Sequence, residues 1–99
     1  MYPIDLEGKT GIIFGVANHR SIAWAIAQVL HEAGARLAIC YQNERVREPV
    51  AKLLEPWDNG VLIECDVSSD ETVATAYKKA SKELGRLDYI VHSIAFANR

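Results

Sequence analysis

The stretch TGIIFGVANHRSIAWAIA, residues Thr10–Ala27, decides the fold. Its first part is an apolar run typical of a buried strand, a turn opens at Gly15, and its last part has helical character. A strand that leads through a glycine turn into a helix presents free backbone N–H groups, with the positive end of a helix dipole, to an anion. The turn is therefore our candidate binding site for a pyrophosphate.

The turn departs from the common dinucleotide-binding pattern G-x-G-x-x-G. Its spacing is G-x5-S-x-A, with Gly15 for the turn, Ser21 near the helix start and Ala23 as the small residue that faces the sheet. The Ser21 hydroxyl is able to cap the helix and to donate to a phosphate oxygen. The alternative is that Ser21 is only an N-cap and Gly15 only a strand end.

Length and composition describe one small globular domain. The chain has 99 residues, of which 49% are hydrophobic, and 11 basic against 13 acidic side chains give a formal net charge of −2. Scattered basic residues predict no nucleic-acid partner, and the apolar runs are too short to span a bilayer. Cys40 and Cys65 lie among apolar residues without a metal or redox spacing, although parallel neighbouring strands are able to bring them close. With no signal peptide, we expect a cytoplasmic protein with reduced core cysteines and no metal.

Apolar runs alternate with helical patterns along the chain. Pro49 leaves the second helix open: either the helix starts near Glu44 and kinks, or it is shorter with Pro49 in its first turn. Ser68 and Glu71 have the spacing of a capping box for the third helix. The predicted elements are strands Thr10–Gly15, Arg36–Tyr41, Val61–Cys65 and Leu87–Ser93, and helices over residues 21–33, about 44–54 and about 69–84.

Helical periodicity predicts which side chains are buried. On the apolar strand, His92 is expected to be a core histidine, whereas His19 in the turn is expected to be solvated rather than a proton carrier. The first helix is predicted to bury Ile22, Ile26, Val29, Leu30 and Ala33, with Ala23 and Ala27 as a flat surface against the sheet. The third is predicted to bury Val73, Ala76, Tyr77, Ala80 and Leu84.

The order β-α-β-α-β-α-β predicts an α/β fold, a doubly wound parallel sheet of the Rossmann type with strand order 3-2-1-4. Ligands bind such sheets at the carboxyl ends of the strands, where the strand order reverses. An extended dinucleotide laid along this edge would meet four places at once. They are the Gly15 turn, Gln42 after the second strand, Asp66 with Val67 after the third, and Ser93 with Ile94 after the fourth.

Four segments together resemble a known family: GVANHRSIAW at residues 15–24, YQN at 41–43, CDV at 65–67 and VHSIAFA at 91–97. They are similar to the bacterial enoyl-acyl-carrier-protein reductase of type II fatty-acid synthesis, a divergent branch of the short-chain dehydrogenases. The resemblance extends over essentially the whole chain in register. The combination is far more specific than any single glycine motif.

The resemblance implies a binding site for a nicotinamide dinucleotide. The assigned residues are Gly15, Ser21 and Ile22 for the pyrophosphate and its neighbouring ribose, Gln42 for the adenosine ribose, Asp66 and Val67 for the adenine, Ile94, next to Ser93, for the nicotinamide side, and Ala97 for the substrate. The physical chemistry agrees, since a carboxylate accepts from the adenine amino group and Val67 offers a backbone donor and an apolar edge.

Cofactor choice depends on the turn after the second strand. Folds that select NAD often place an acid there for the ribose 2′-hydroxyl, whereas NADP is met by arginine or lysine. Gln42 is neutral, so it bonds a hydroxyl and offers no charge to a phosphate. We therefore favour NADH over NADPH; Arg45 or Arg47, if either turned inward, would compensate.

The family reduces the double bond of a thioester-linked enoyl chain, with a tyrosine and a lysine on a helix after the fourth strand. This sequence ends at Arg99, before that helix. No catalytic residue is therefore assigned. We expect residues 1–99 to be the N-terminal, cofactor-binding part of a single dinucleotide-binding domain, in an enzyme that is a homo-oligomer in full length. The isolated chain is predicted to be inactive and unstable or self-associating, because its fourth strand is left as an edge.

Two other functions stay open. A short-chain dehydrogenase that acts on a hydroxyl or ketone shares the fold, but it usually carries T-G-x-x-x-G-x-G at the first turn and Asn-Ala-Gly after the fourth strand. The corresponding run here is Ser93-Ile94-Ala95. A non-catalytic nucleotide-binding module is the third interpretation.

Overall fold

A computed structural model describes residues 5–92, which form one four-stranded parallel sheet with helices on both faces. The elements in chain order are β1 Thr10–Phe14, α1 Ile22–Glu32, β2 Arg36–Tyr41, a 3-10 turn Glu44–Val46, α2 Arg47–Leu54, β3 Val61–Glu64, α3 Asp70–Leu84 and β4 Tyr89–His92.

The strands lie in the order β3-β2-β1-β4, all parallel, as the sequence predicts. Thr10 pairs with Arg36 across β1 and β2, Gly11 pairs with Tyr89 across β1 and β4, and Ala38 pairs with Val61 across β2 and β3. Because β1 and β2 are central and covered on both faces, they consist almost entirely of apolar residues.

Each face of the sheet carries its own apolar layer. One layer joins alternate residues of β1 and β2 to α1 and α2, among them Ile13 and Ile39. The other joins the intervening strand residues to α3, among them Ile12 and Ala38. The core face predicted for α3 is confirmed, since Val73, Ala76, Tyr77, Ala80 and Leu84 all belong to this second layer.

Cys40 and Cys65 lie in the layer under α3, where both are buried and free of a disulfide. Burial raises the pKa of both thiols above the ordinary range, and the Cys65 thiol also contacts the Thr72 carbonyl at 3.7 Å. These are the reduced core cysteines that the sequence predicts.

The predicted buried face of α1 is largely wrong: of its five residues only Leu30 belongs to the apolar layer, and Ile26 and Ala33 are half-buried without belonging to it. Ile22 is 72% exposed and Val29 is 39% exposed, whereas Ala23, Trp24 and Ala27 are buried. The helix therefore faces the sheet with Ala23, Trp24 and Ala27, rather than with the predicted stripe. The Trp24 ring points inward and stacks on Trp57, with ring centroids 5.0 Å apart.

The structure decides between the two alternatives for the second helix and corrects the predicted cap of the third. Pro49 stands in the first turn of α2, so the shorter-helix alternative is correct, and the 3-10 turn precedes it. The capping box predicted for α3 is wrong by one residue: Ser69, not Ser68, is the N-cap, and its hydroxyl accepts from the Thr72 N–H at 3.3 Å. Ser68 is bonded to Asp66 instead.

A polar cluster joins β4 to β1 at the amino end of the sheet. Asp88 Oδ2 accepts from the Thr10 N–H at 2.9 Å, and Asp88 Oδ1 accepts from the Arg86 guanidinium, also at 2.9 Å. The Thr10 hydroxyl donates to the Arg86 carbonyl. The Thr10 N–H bond is the largest cause that lowers the pKa of Asp88, followed by Arg86.

His92 differs from the expectation of a core histidine. Its side chain is exposed at the end of β4, where the ring lies 5.3 Å from that of Phe14 at the end of β1. Within residues 5–92, no helix is long and apolar enough to cross a membrane.

Candidate functional site

The Gly15 turn is built around the Ser21 hydroxyl. Gly15 has a φ of +103°, a backbone conformation that side chains other than glycine rarely adopt. Ser21 Oγ accepts two backbone N–H groups of the turn, from Ala17 at 2.9 Å and from Asn18 at 3.2 Å. Ser21 thereby holds the turn in a fixed shape.

Ser21 occupies the N-cap position of α1 without capping the helix. Its side chain makes no hydrogen bond to the first turn of α1. The prediction that the Ser21 hydroxyl caps the helix is therefore wrong, and its donation to a phosphate remains a prediction. Because both lone pairs of Oγ accept from the turn, the hydroxyl proton is free to be donated to a ligand oxygen.

The start of α1 has the electrostatic character of an anion site. The first N–H groups of a helix have no intrahelical acceptor, and here they belong to Ile22 and Ala23. No acidic side chain lies in the first turn. Partial positive charge from the helix dipole is therefore uncompensated beside the Ser21 hydroxyl.

Ile22 stands at the rim of this turn, largely exposed. An exposed isoleucine next to free N–H groups gives a ligand an apolar surface to lie against. The same exposure that contradicts Ile22 as a core residue is compatible with its predicted role in the site.

Gln42 and Asp66 meet on the same edge of the sheet. The Gln42 Nε2 donates to Asp66 Oδ1 at 2.9 Å, although the residues follow different strands. Adjacent pairing of β2 and β3 brings these two turns together, because Tyr41 and Glu64 are in register and each ends its strand.

Ser68 stabilises the charged form of the Asp66 carboxylate. Its hydroxyl donates to Asp66 Oδ1 at 2.6 Å and its N–H donates to the same oxygen at 3.0 Å. These two bonds are the main causes that lower the pKa of Asp66, with Gln42 contributing further. Among the hydrogen bonds of residues 5–92, none reaches Asp66 Oδ2, so that oxygen is available to a donor on a ligand.

A hydrogen bond from α3 holds the backbone of the turn after β3. The Thr72 hydroxyl donates to the Asp66 carbonyl at 2.5 Å, which ties the turn to α3. Val67 is half-buried and packs against the apolar layer under α3. Asp66 and Val67 therefore have a rigid base.

Arg45 and Arg47 are exposed at the 3-10 turn and the start of α2. Within the described part of the chain, neither forms an ion pair; the one salt bridge there joins Arg86 to Asp88. His19 is exposed in the turn before α1, as expected. Ser93, Ile94 and Ala97 lie outside the described residues.

The sequence matches one family model over residues 15–99, and that model describes the enoyl-(acyl carrier protein) reductases. The chain belongs to this family. The match includes the Gly15 turn and the turns after β2 and β3, so the family assignment and the geometry concern the same residues.

Curated enoyl-(acyl carrier protein) reductases differ in the cofactor that their names carry. The chain is 43% identical over 94 residues to the NADH reductase of Enterococcus faecalis, which is 95% of this chain and 37% of that protein. It is 44% identical over 97 residues to the NADPH reductase of Staphylococcus aureus, which is 96% of this chain and 38% of that protein. The chain thus spans little more than a third of the length of these relatives.

Solved structures of the family have the same fold. The reductase of Anaplasma phagocytophilum in complex with NAD matches with a TM-score of 0.88 and 38% identity, over 98% of this chain and 37% of that one. The Bacillus cereus reductase with NADP+ and indole naphthyridinone matches with a TM-score of 0.88 and 40% identity, over 96% of this chain and 38% of that one.

In this member of the family, Ser68 and Thr72 are the residues that sequence reasoning missed. Both act on the turn that carries Asp66. A signal was present: a serine two residues after an aspartate is typical of a side chain that bonds its own turn. The predicted capping role of Ser68 hid it. Among residues 5–92, no group of three or more potential metal ligands occurs.

Proposed function

We propose that the carboxyl edge of the sheet binds a nicotinamide dinucleotide in an enzyme that reduces the enoyl double bond of acyl-carrier-protein thioesters in type II fatty-acid synthesis. The observation that carries this proposal is the Ser21 hydroxyl, which holds the Gly15 turn and keeps its own proton for a ligand beside the uncapped start of α1. Family membership and the names of the relatives support the reaction.

The pyrophosphate is assigned to the Gly15 turn. The first-turn N–H groups of α1 and the Ser21 hydroxyl are donors on one side of the turn, and no carboxylate in the first turn opposes an anion. The exposed Ile22 side chain would cover the neighbouring ribose. The residues present therefore fit a diphosphate.

The adenosine is assigned to the turns after β2 and β3. Asp66 Oδ2 is an acceptor for the adenine amino group, and Val67 supplies a backbone donor and an apolar edge. Gln42 would lie by the adenosine ribose. Ser93 and Ile94 are proposed for the nicotinamide side and Ala97 for the substrate, from the family resemblance alone.

The cofactor is proposed to be NADH rather than NADPH. The polar groups at the ribose position are a neutral amide and a carboxylate, which suit a hydroxyl and oppose a phosphate. The arginines nearest in sequence, Arg45 and Arg47, are exposed. When bound, the nicotinamide supplies the hydride for the reduction.

The remaining features follow the family. Residues 1–99 are proposed to be the first part of a single dinucleotide-binding domain, which agrees with the greater length of the relatives. The catalytic tyrosine and lysine are proposed to lie beyond Arg99, on a helix after the fourth strand. The enzyme is proposed to be a cytoplasmic homo-oligomer.

Binding and turnover of NADH by the whole polypeptide that contains these residues test the proposal. We expect NADH to bind and to be oxidised with a crotonyl thioester. Ser21→Ala is expected to lower NADH affinity about 10- to 100-fold, because a hydrogen bond to a charged group contributes roughly 1.5–3 kcal/mol. Ser81→Ala, on the exposed face of α3, is the matched control and is expected to leave NADH affinity and NADH oxidation unchanged. Failure of NADH and NADPH to bind would refute the proposal.

A further inference from the structure

The hydrogen bond between Gln42 and Asp66 decides which end of the Gln42 amide faces outward. The two residues are 24 positions apart and meet only because β2 and β3 are neighbours. An ionised carboxylate accepts and does not donate, so the Gln42 nitrogen must point to Asp66. The Gln42 carbonyl oxygen is then the end that is turned away from Asp66.

Asp66 itself is held independently of Gln42. The Ser68 hydroxyl and N–H both donate to Oδ1, and Thr72 fixes the Asp66 carbonyl. The two Ser68 bonds also lower the pKa of Asp66, and the carboxylate is charged at neutral pH with or without them. The pair therefore has one fixed member, Asp66, and one oriented member, Gln42.

We propose that Asp66 is a positioning residue for cofactor selection: it holds the Gln42 nitrogen, and so presents the Gln42 carbonyl oxygen as an acceptor at the adenosine 2′ position. A ribose hydroxyl donates to that oxygen. A 2′-phosphate, which is mostly dianionic at neutral pH, has no proton to donate and meets a carbonyl dipole. This inference rests on the proposed function and adds the residue that sets its preference for NADH.

The ratio of the dissociation constants for NADPH and NADH, measured by calorimetry on the whole polypeptide, is the decisive readout. Asp66→Ala removes the hold on Gln42 and is expected to lower this ratio about tenfold, the order of one charge-assisted hydrogen bond. Asp66→Asn loses the same charge but keeps a carbonyl acceptor, and is expected to lower the ratio less than about threefold. Equal effects of the two variants would overturn the inference in favour of charge alone.

Action through Gln42 is tested by a double-mutant cycle. Once Gln42→Ala has removed the amide, a further Asp66→Ala is expected to change the ratio by less than about twofold. An undiminished effect in that background would refute the positioning role. Loss of the adenine contact or of local structure changes both dissociation constants together, so it leaves the ratio where it was.

Asp70→Ala is the charge-matched control, since Asp70 is exposed at the start of α3. It is expected to leave the ratio unchanged. If the wild-type protein binds neither cofactor, the proposed function fails and this inference fails with it. If the protein binds both but the ratio does not respond to Asp66→Ala, only this inference fails.

Discussion

Two carboxylates at opposite ends of the sheet show how the same chemical group serves two purposes. Asp88, at the amino end, uses both oxygens within the protein: one accepts from Thr10 and the other from Arg86. Asp66, at the carboxyl end, takes its donors from Gln42 and Ser68 on Oδ1 alone. Hydrogen bonds lower the pKa of both. The two carboxylates differ in how many of their oxygens accept hydrogen bonds within residues 5–92: both oxygens in Asp88, and one in Asp66.

The same contrast extends to the surrounding residues. At the amino end, the backbones of β1 and β4 are joined through Thr10 and Asp88 in both directions, since the Asp88 N–H donates to the Thr10 carbonyl at 2.8 Å. At the carboxyl end, the Ser21 hydroxyl oxygen accepts from two N–H groups of the turn, and its proton is left to be donated. Polar groups at the amino end bond one another, whereas Ser21 and Asp66 at the carboxyl end keep hydrogen-bonding capacity that the proposed ligand site would use. Substitutions at the two ends should therefore separate stability from binding.

The largest separation is expected from a pair of glycines. Gly15 at the carboxyl end and Gly8 at the amino end both have positive φ, +103° and +83°. Alanine at either position is expected to cost about 1–2 kcal/mol of the free energy of unfolding, because the backbone is strained. Only Gly15→Ala is also expected to lower NADH affinity, by about tenfold or more, since it moves the turn that Ser21 holds. Denaturant unfolding and calorimetry measure the two quantities; a similar loss of affinity in Gly8→Ala would contradict the separation.

An effect on stability alone is expected from Thr10→Val. Valine keeps the shape of the buried threonine but leaves the Arg86 carbonyl without the hydroxyl donor, at a cost of about 1 kcal/mol. Thr75→Val is the control, because the Thr75 hydroxyl bonds its own helix in an exposed position at 2.9 Å. It is expected to change the free energy of unfolding by less than about 0.5 kcal/mol. NADH affinity should be the same in both variants, and a lower affinity in Thr10→Val would show that the two ends are coupled.

The pH dependence of stability tests the contribution of the Asp88 charge. Its pKa is lower in the folded protein than in the unfolded chain, so its contribution to stability is present above the unfolded pKa and is lost as pH falls through the folded pKa. Asp88→Asn is expected to lower Tm at neutral pH. The difference from wild type should shrink as the pH is lowered into the acid range where carboxylates are protonated. A Tm difference independent of pH would mean that the Asp88 charge is not what fastens β4.

The smallest effect is expected from the two exposed arginines. Arg45→Ala and Arg47→Ala should each change NADH and NADPH affinities by less than about twofold, because an exposed and unpaired charge contributes little. Calorimetric titration with both cofactors measures this. A selective loss of NADPH affinity in either variant would show that the arginine turns inward and compensates for the neutral Gln42.

Topology was the most predictable part of the molecule. The bounds of β2 and the buried face of α3 follow from local apolar patterns, and the strand order follows from the crossover rules. The meeting of the Gly15, Gln42 and Asp66 turns at one edge was predictable for the same reason. Their roles toward a cofactor remain predictions.

The errors arose where tertiary contacts choose between local alternatives. Ser68 and Ser69 are equally good caps in isolation, and the bond from Ser68 to Asp66 decides that Ser69 caps α3. The rotation of α1 depends on how closely its alanines approach the sheet and on the ring of Trp57, which periodicity does not register. The orientation of Gln42 likewise needs the partner strand. Each of these outcomes depends on side-chain geometry across elements.

One of the two stacked indole rings belongs to Trp24, in the first turn of α1, the helix whose start is proposed to bind the pyrophosphate. The sequence has two tryptophans, and both are in one stack, with the His31 ring 4.0 Å from that of Trp57. Trp24 lies about one helical turn after Ser21. A ligand that shifts the start of α1 is therefore expected to change the surroundings of the Trp24 ring. Tryptophan emission from this chain therefore reports on the packing of α1 against the segment that follows α2.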